Sequence, residues 1–226
     1  MKPSNKPRVK ICCIGSIEEA ALAVELGASA VGLVSHMPSG PGVIAEELIA
    51  KIAATVPPSV GTFLLTSEQE VGAIIKQHSF CRTNCIQICD RLTSAEHREL
   101  RKALPGISLI QVVHVVGLES VDEAVAASEG VDAILLDSGN QTLTIRELGG
   151  TGRVHDWTVS REIRERISIP MFLAGGLNAG NVKRAIREVG AFGLDLCSGV
   201  RTNGKLDRGK LQAFFDEVDA ACASTA

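Results

Sequence analysis

Apolar residues gather into eight short runs, near residues 8–14, 29–34, 59–65, 84–89, 108–116, 131–137, 169–174 and 192–197. Each run is followed by a stretch whose apolar residues recur at helical spacing. The runs are rich in Val, Ile and Leu without strict alternation, the pattern of parallel strands covered on one face and packed on the other. Polar caps mark helix starts: Ser16 leads into Ile17-Glu18-Glu19-Ala20-Ala21-Leu22-Ala23-Val24, and Asn178 precedes Asn181-Val182-Lys183-Arg184-Ala185-Ile186. Eight strand-then-helix repeats predict an α/β protein, a single-domain (β/α)8 TIM barrel over residues 1–226, with residues 1–7 a flexible N-terminal segment. A doubly wound sheet is the alternative, but no G-x-G-x-x-G follows the first run, and the glycines cluster after the last three.

Composition narrows the class of ligand. The chain is 45% hydrophobic and 22% charged, with no Pro/Ser-rich linker, which suits one substantial core. A net charge of -3 and the absence of a Lys/Arg block argue against nucleic acid or an anionic membrane as partner, since phosphate backbones require clustered positive charge. One Trp, Trp157, and no Tyr leave little for base stacking. The expected partner is a small molecule. Met1 to Arg8 is polar with no apolar signal segment after it, and no apolar run reaches transmembrane length, so a cytoplasmic protein is expected. Sequence leaves monomer and homodimer equally open.

Seven cysteines, an odd number without the dense spacing of a secreted scaffold, fit reduced thiols. Cys81, Cys85 and Cys89 recur every four residues, but Cys85 and Cys89 flank the strand-like Ile86-Gln87-Ile88, where helical spacing does not apply. No C-x-x-C exists, and no metal is expected.

The candidate chemistry lies at strand ends. Cys12 closes the run Val9-Lys10-Ile11 and Asp137 closes Ala133-Ile134-Leu135-Leu136, so in a barrel both face one rim as a possible base and acid. By strand parity Lys10 and Cys12 share one face, and Ile11 and Cys13 the other. Three glycine-bearing turns follow the last three strands: Gly149-Gly150-Thr151-Gly152, Ala174-Gly175-Gly176-Leu177-Asn178 and Cys197-Ser198-Gly199-Val200. In a barrel they converge, and backbone amides there can hold a phosphate. Gly150, Gly152, Gly175, Gly176, Ser198 and Gly199 are the candidate phosphate ligands. His36, His114 and His155 could titrate near neutrality, His36 and His114 near the expected mouth, though a structural or exposed setting is expected for each, while His78 and His97 receive no role.

Six motifs in order give the chain a nearly end-to-end resemblance to the phosphoribosylanthranilate isomerase family. Lys10-Ile11-Cys12 resembles the opening K-I-C-G, Val31-Gly32-Leu33-Val34 the second strand, and Leu135-Leu136-Asp137-Ser138 the acid-bearing strand. Gly149-Gly150-Thr151-Gly152 with Asp156-Trp157 resembles G-G-T-G-x-x-F-D-W. Leu173-Ala174-Gly175-Gly176-Leu177 with Asn181-Val182 matches L-A-G-G-L-x-x-x-N-V, and Asp195-Leu196-Cys197-Ser198-Gly199-Val200 resembles D-V-S-S-G-V. The resemblance implies an Amadori rearrangement in tryptophan biosynthesis, from an N-glycosidic aldose phosphate to an aminoketose phosphate, without redox cofactor or metal. It implies Asp137 as general acid on the ring oxygen and Cys12 as general base at C2; a buried carboxyl can stay protonated, and a thiol near a helix N-terminus can lose its proton.

Four positions depart from that pattern. Cys13 replaces the glycine after the base cysteine and is expected to pack outward. Ser35-His36-Met37-Pro38-Ser39-Gly40-Pro41-Gly42 stands where the family has K-S-P-R, with Pro41 on the arginine that holds the anthranilate carboxylate. Gln87-Ile88-Cys89-Asp90 replaces Q-L-H-G, and Arg201 replaces the glutamate after S-G-V, with Lys205-Leu206-Asp207 for an adjacent Lys-Asp. Arg153 and Arg201 are candidates for a relocated carboxylate clamp. An isomerase of another phosphorylated amino sugar and a non-catalytic sugar-phosphate-binding paralogue are the rival functions.

Overall fold

A computed structural model describes residues 6–139, 147–149 and 152–223; Gly150, Thr151 and the first five residues of the expected N-terminal segment lie outside the described residues. Eight parallel strands close into a barrel in sequence order. They are β1 (Arg8–Ile11), β2 (Ala30–Val34), β3 (Gly61–Thr66), β4 (Cys85–Ile88), β5 (Ser108–His114), β6 (Ala133–Asp137), β7 (Met171–Leu173) and β8 (Gly193–Leu196). Between them run α1 (Ile17–Glu25), α2 (Glu46–Thr55), α3 (Val71–Cys81), α4 (Ser94–Ala103), α5 (Glu119–Ser128), α6 (Trp157–Arg166) and α7 (Val182–Val189). A 3₁₀ turn (Ser198–Val200) and a two-stranded hairpin, β9 (Arg201–Thr202) with β10 (Lys205–Leu206), precede α8 (Arg208–Ala223). All eight apolar runs form strands.

The alternation along these strands divides the apolar residues into two cores. Ile11, Leu33, Leu64, Ile86, Val113, Leu136, Leu173 and Leu196 face outward against the helices, where they meet Ile49, Ile74, Leu100, Ile163 and Phe214. Ala30, Phe63, Leu65, Val112, Leu135 and Phe172 fill the barrel. Within that filling Lys10 and Asp195, directly opposed in the β1–β8 register, form a buried ion pair of 2.9 Å. Burial alone would lower the lysine pKa, but the attraction of the Asp195 carboxylate and of Cys12 more than offsets it and keeps Lys10 well above its ordinary value. Its ammonium also stands 5.3 Å from the Phe63 ring centroid.

The caps follow the sequence in one case and depart from it in the other. Ser16 accepts the Glu19 amide and starts α1. At α7 the cap residue is Asn181, whose side chain turns back to accept the Asn178 amide at 2.9 Å and to donate to the Gly176 carbonyl at 3.0 Å. That asparagine serves the turn before the helix.

Candidate active site

The site is built where inward parity reaches the carboxyl ends of the strands. Counting by twos, β1 places Lys10 and then Cys12 inward, β4 places Gln87 and Cys89, β6 places Leu135 and Asp137, and β8 places Asp195 and Cys197. Cys12, Gln87, Cys89, Asp137, Asp195 and Cys197 all line one cleft at the barrel mouth. Cys12 and Asp137 therefore share a site, entering from strands on different sides of the barrel. Both are buried, Asp137 at 9% and Cys12 at 6% exposure. The Cys12 amide donates to Leu196 at 2.7 Å, which fixes the end of β1 against β8. The Asp137 Oδ1 accepts the Ser138 amide at 2.7 Å. Its Oδ2 faces the first glycine-bearing segment, after β6: a methyl on Gly149 would fall 2.5 Å from it.

The glycine turns do meet. Gly152, Gly175, Gly176 and Ser198 line the same cleft. Gly176 sits at φ 63°, and a methyl there would fall 2.9 Å from the Gly152 carbonyl and 2.8 Å from Val154, so the turns after β6 and β7 approach too closely for any side chain. A methyl on Gly152 would in turn lie 3.4 Å from Ser198 Oγ, and one on Gly199 only 2.0 Å from the Leu177 carbonyl. The Gly150 position lies outside the described residues.

Cys13 does not pack outward. It leaves the extended region for the left-handed one, at φ 60°, so strand parity ends with Cys12 and the next side chain swings into the mouth. Its thiol stands 3.6 Å from the Pro41 carbonyl and 2.8 Å from the sulfur of Cys197.

The two arginines part company. Arg201 is nearly buried and bridges both oxygens of Glu19 at 3.1 to 3.2 Å, while its Nη2 donates to the carbonyls of Cys12 at 3.2 Å and Cys13 at 2.6 Å. A guanidinium so engaged behind the β1 turn is not poised for a substrate carboxylate, which goes against the expectation for it. Arg153 is half exposed, paired with Glu147 and donating to the Ser138 carbonyl at 3.4 Å, next to Asp137. Neither lines the cleft, and no cationic side chain does among the described residues. The second loop reaches the cleft through Met37, Ser39, Gly40 and Pro41.

His36, His114 and His155 do not line the cleft. His36 points to solvent, with its carbonyl accepting from Ser67 Oγ at 2.9 Å. His114 Nε2 approaches the Cys89 carbonyl at 3.3 Å. His155 hydrogen-bonds Ser160 at 2.7 Å, and burial holds its pKa below the usual value despite the carboxylates of Asp137 and Asp156. Burial pushes the Cys89 thiol up, so it remains protonated. Cys81, Cys85 and Cys89 occupy the end of α3, the start of β4 and the residue after it, and no group of three or more metal-ligating side chains occurs among the described residues. Sequence reasoning had no signal for the Lys10–Asp195 pair, whose members lie 185 residues apart, nor for Glu19 as partner of Arg201.

The family model described as N-(5'-phosphoribosyl)anthranilate (PRA) isomerase matches residues 9–217. The N-(5'-phosphoribosyl)anthranilate isomerase 1 of Methanosarcina mazei is 33% identical, covering 99% of each chain, and the enzyme of Methanosarcina acetivorans is 33% identical over 94% of this chain and 93% of its own. The crystal structure of phosphoribosyl anthranilate isomerase from Thermotoga maritima superposes with a TM-score of 0.81 at 30% identity, over 95% of this chain and 99% of that one. A phosphoribosyl anthranilate isomerase solved with reduced 1-(o-carboxyphenylamino)-1-deoxyribulose 5-phosphate gives 0.79 at 29% identity, with the same coverage.

Proposed function

The chain belongs to the N-(5'-phosphoribosyl)anthranilate isomerase family, and from that premise we propose that Cys12 and Asp137 carry the family's proton transfers across its barrel mouth. The protein is an aldose–ketose isomerase of tryptophan biosynthesis that converts N-(5'-phosphoribosyl)anthranilate into 1-(2-carboxyphenylamino)-1-deoxyribulose 5-phosphate. The single observation behind the residue assignment is that these two side chains line one cleft from β1 and β6, beside the converged glycine turns.

In this reading the protonated carboxyl of Asp137 gives its proton to the ribose ring oxygen as the ring opens to a Schiff base. The positive nitrogen of that intermediate acidifies the hydrogen at C2. The thiolate of Cys12 removes it, and the resulting enamine tautomerises to the aminoketose. Each step moves a proton and an electron pair within the substrate or between it and these side chains, so atoms and electrons balance without an external oxidant or reductant.

The phosphate is assigned to backbone amides and Ser198 in the Gly152, Gly175–Gly176 and Ser198–Gly199 turns, where close backbone approach leaves room for an anion and no cationic side chain is needed. Arg153, beside the β6 turn, is the better of the two candidates for the aglycone carboxylate, because Arg201 is committed to Glu19. The same reading puts the enzyme in the cytoplasm, as a monomer or homodimer; among the described residues no helix is long and apolar enough to cross a membrane.

Incubation with N-(5'-phosphoribosyl)anthranilate and with its analogue lacking the carboxylate tests this reading. The expected result is turnover of the parent in preference to the analogue, with the preference lost in Arg153→Ala and kept in Arg201→Ala. Sugar-phosphate binding without turnover would instead identify a non-catalytic paralogue, and better turnover of the analogue an isomerase of another amino sugar.

A further inference from the structure

The two cysteines that replace residues of the family pattern, Cys13 for the glycine of K-I-C-G and Cys197 for the first serine of D-V-S-S-G-V, touch each other. Their sulfurs lie 2.8 Å apart across 184 residues of sequence, both on the wall of the catalytic cleft. The contact needs a cleared space. Gly42, at φ 84°, faces Cys13 so closely that a methyl there would fall 2.5 Å from the Cys13 Cβ. Neither substitution alone gives a thiol pair, and together they set one beside the residue assigned as base.

We propose that Cys13 and Cys197 form a reversible disulfide that switches the isomerase off, with a small-molecule disulfide such as oxidised glutathione as the oxidant. Cys197 is the attacking thiol. It is the more exposed of the two, and the neighbouring Cys13 hydrogen bond and the Arg201 charge lower its pKa against the opposing effect of burial. Its thiolate attacks one sulfur of the external disulfide and expels the first thiolate, leaving a mixed disulfide on Cys197. Cys13 then loses its proton, attacks Cys197 Sγ and expels the second thiolate. The protein gives up two electrons and two protons, and one external disulfide becomes two thiols.

The effect on turnover follows from what the bond ties together. Cys13 follows Cys12 directly, and Cys197 precedes Ser198 and Gly199. Drawing the two sulfurs from 2.8 Å to bonding distance pulls the turn that carries the base toward the turn that carries the phosphate site. Misplacement of a reacting group by as little as about 1 Å can cost on the order of 100-fold in rate. This consequence rests on Cys12 being the base, whereas formation of the bond does not.

The experiment equilibrates the purified protein with oxidised glutathione, maps the cross-linked peptides after digestion, and measures turnover before and after dithiothreitol. The expected result is a single link joining the segments that contain Cys13 and Cys197, loss of most turnover, and recovery on reduction. The link persists in Cys12→Ser and is absent in Cys13→Gly and in Cys197→Ser, whose ratio of oxidised to reduced turnover stays near one. No link in the wild-type protein, a link that survives Cys13→Gly, or a linked protein with full turnover would each overturn the switch. A link in a protein that is inactive even when reduced would overturn the isomerase reading and leave the thiol pair standing.

Discussion

Cys13 occupies a conformation that favours glycine, and an L-residue in the left-handed region carries about 1 kcal/mol of strain or slightly more. Cys13→Gly removes that strain and also the contacts of the thiol with Pro41 and Cys197, two effects of opposite sign. Urea unfolding of the reduced variant is expected to show a stability within about 1 kcal/mol of the parent, with turnover retained. A large loss of stability would mean that the thiol contacts dominate. Ser198 allows a cleaner probe of the phosphate site, because its side chain is exposed beside the Gly152 turn. Ser198→Asp brings a carboxylate to where the anion is assigned, and titration with a sugar phosphate should show affinity reduced by roughly tenfold or more. Unchanged affinity in the folded variant would move the phosphate away from these turns.

Among the elements, the β1 turn is held from behind by the Glu19–Arg201 pair, which joins the first turn of α1 to β9. Besides the guanidinium, Glu19 accepts the amides of Gly15 at 2.9 Å and Leu206 at 2.8 Å. Burial works against the carboxylate, but the Leu206 amide, Arg201 and the Gly15 amide outweigh it, and the folded pKa lies below the ordinary 4.5. A depressed carboxyl pKa stabilises the fold above the unfolded value and loses that contribution as pH falls through the folded one. Wild-type stability should therefore decline below about pH 4.5 in part through this group, and Glu19→Gln should flatten that part of the profile. Glu19→Ala leaves Arg201 nearly buried without its carboxylate and is expected to cost roughly 2 to 3 kcal/mol in chemical denaturation, less than a fully dry pair would. Much of this level was legible in the sequence. Runs such as Ala133-Ile134-Leu135-Leu136 announce a buried parallel strand because both faces are covered, and Ser16 with Glu19 announces a helix start. Cys13 escapes the parity rule because alternation holds only while the backbone stays extended, and its φ is 60°. Asn181 is not legible as the cap because a short polar side chain can serve the preceding turn as readily as the helix.

For the whole molecule, barrel closure brings β8 beside β1 and so joins the first and last barrel strands. Lys10 and Asp195 meet there, and no local pattern could have paired them, since parity puts Lys10 on the face of Cys12 but carries no sign of a partner 185 residues away. The pair lies just beneath Cys12, on the same inward face of β1. Lys10→Met leaves Asp195 buried without its partner and should destabilise the protein by about 3 to 5 kcal/mol, measured by denaturant unfolding. Little change in stability would show that the carboxyl simply takes up a proton in the variant. Closure also sets Cys12 and Asp137 around one cleft, the pairing to which the proton transfers are assigned. Its most direct test is steady-state turnover of N-(5'-phosphoribosyl)anthranilate by the wild-type protein, Cys12→Ser, Asp137→Asn and the double variant. Each single change should lower turnover by roughly 10² to 10⁴ as expected of a general acid or base. The double variant should lose less than the product of the two single losses, because the groups act on one substrate as a unit. Full activity in Cys12→Ser with none in Cys13→Ser would put the base one residue along the chain, and full activity in both Cys12→Ser and Asp137→Asn would contradict the proton-transfer account.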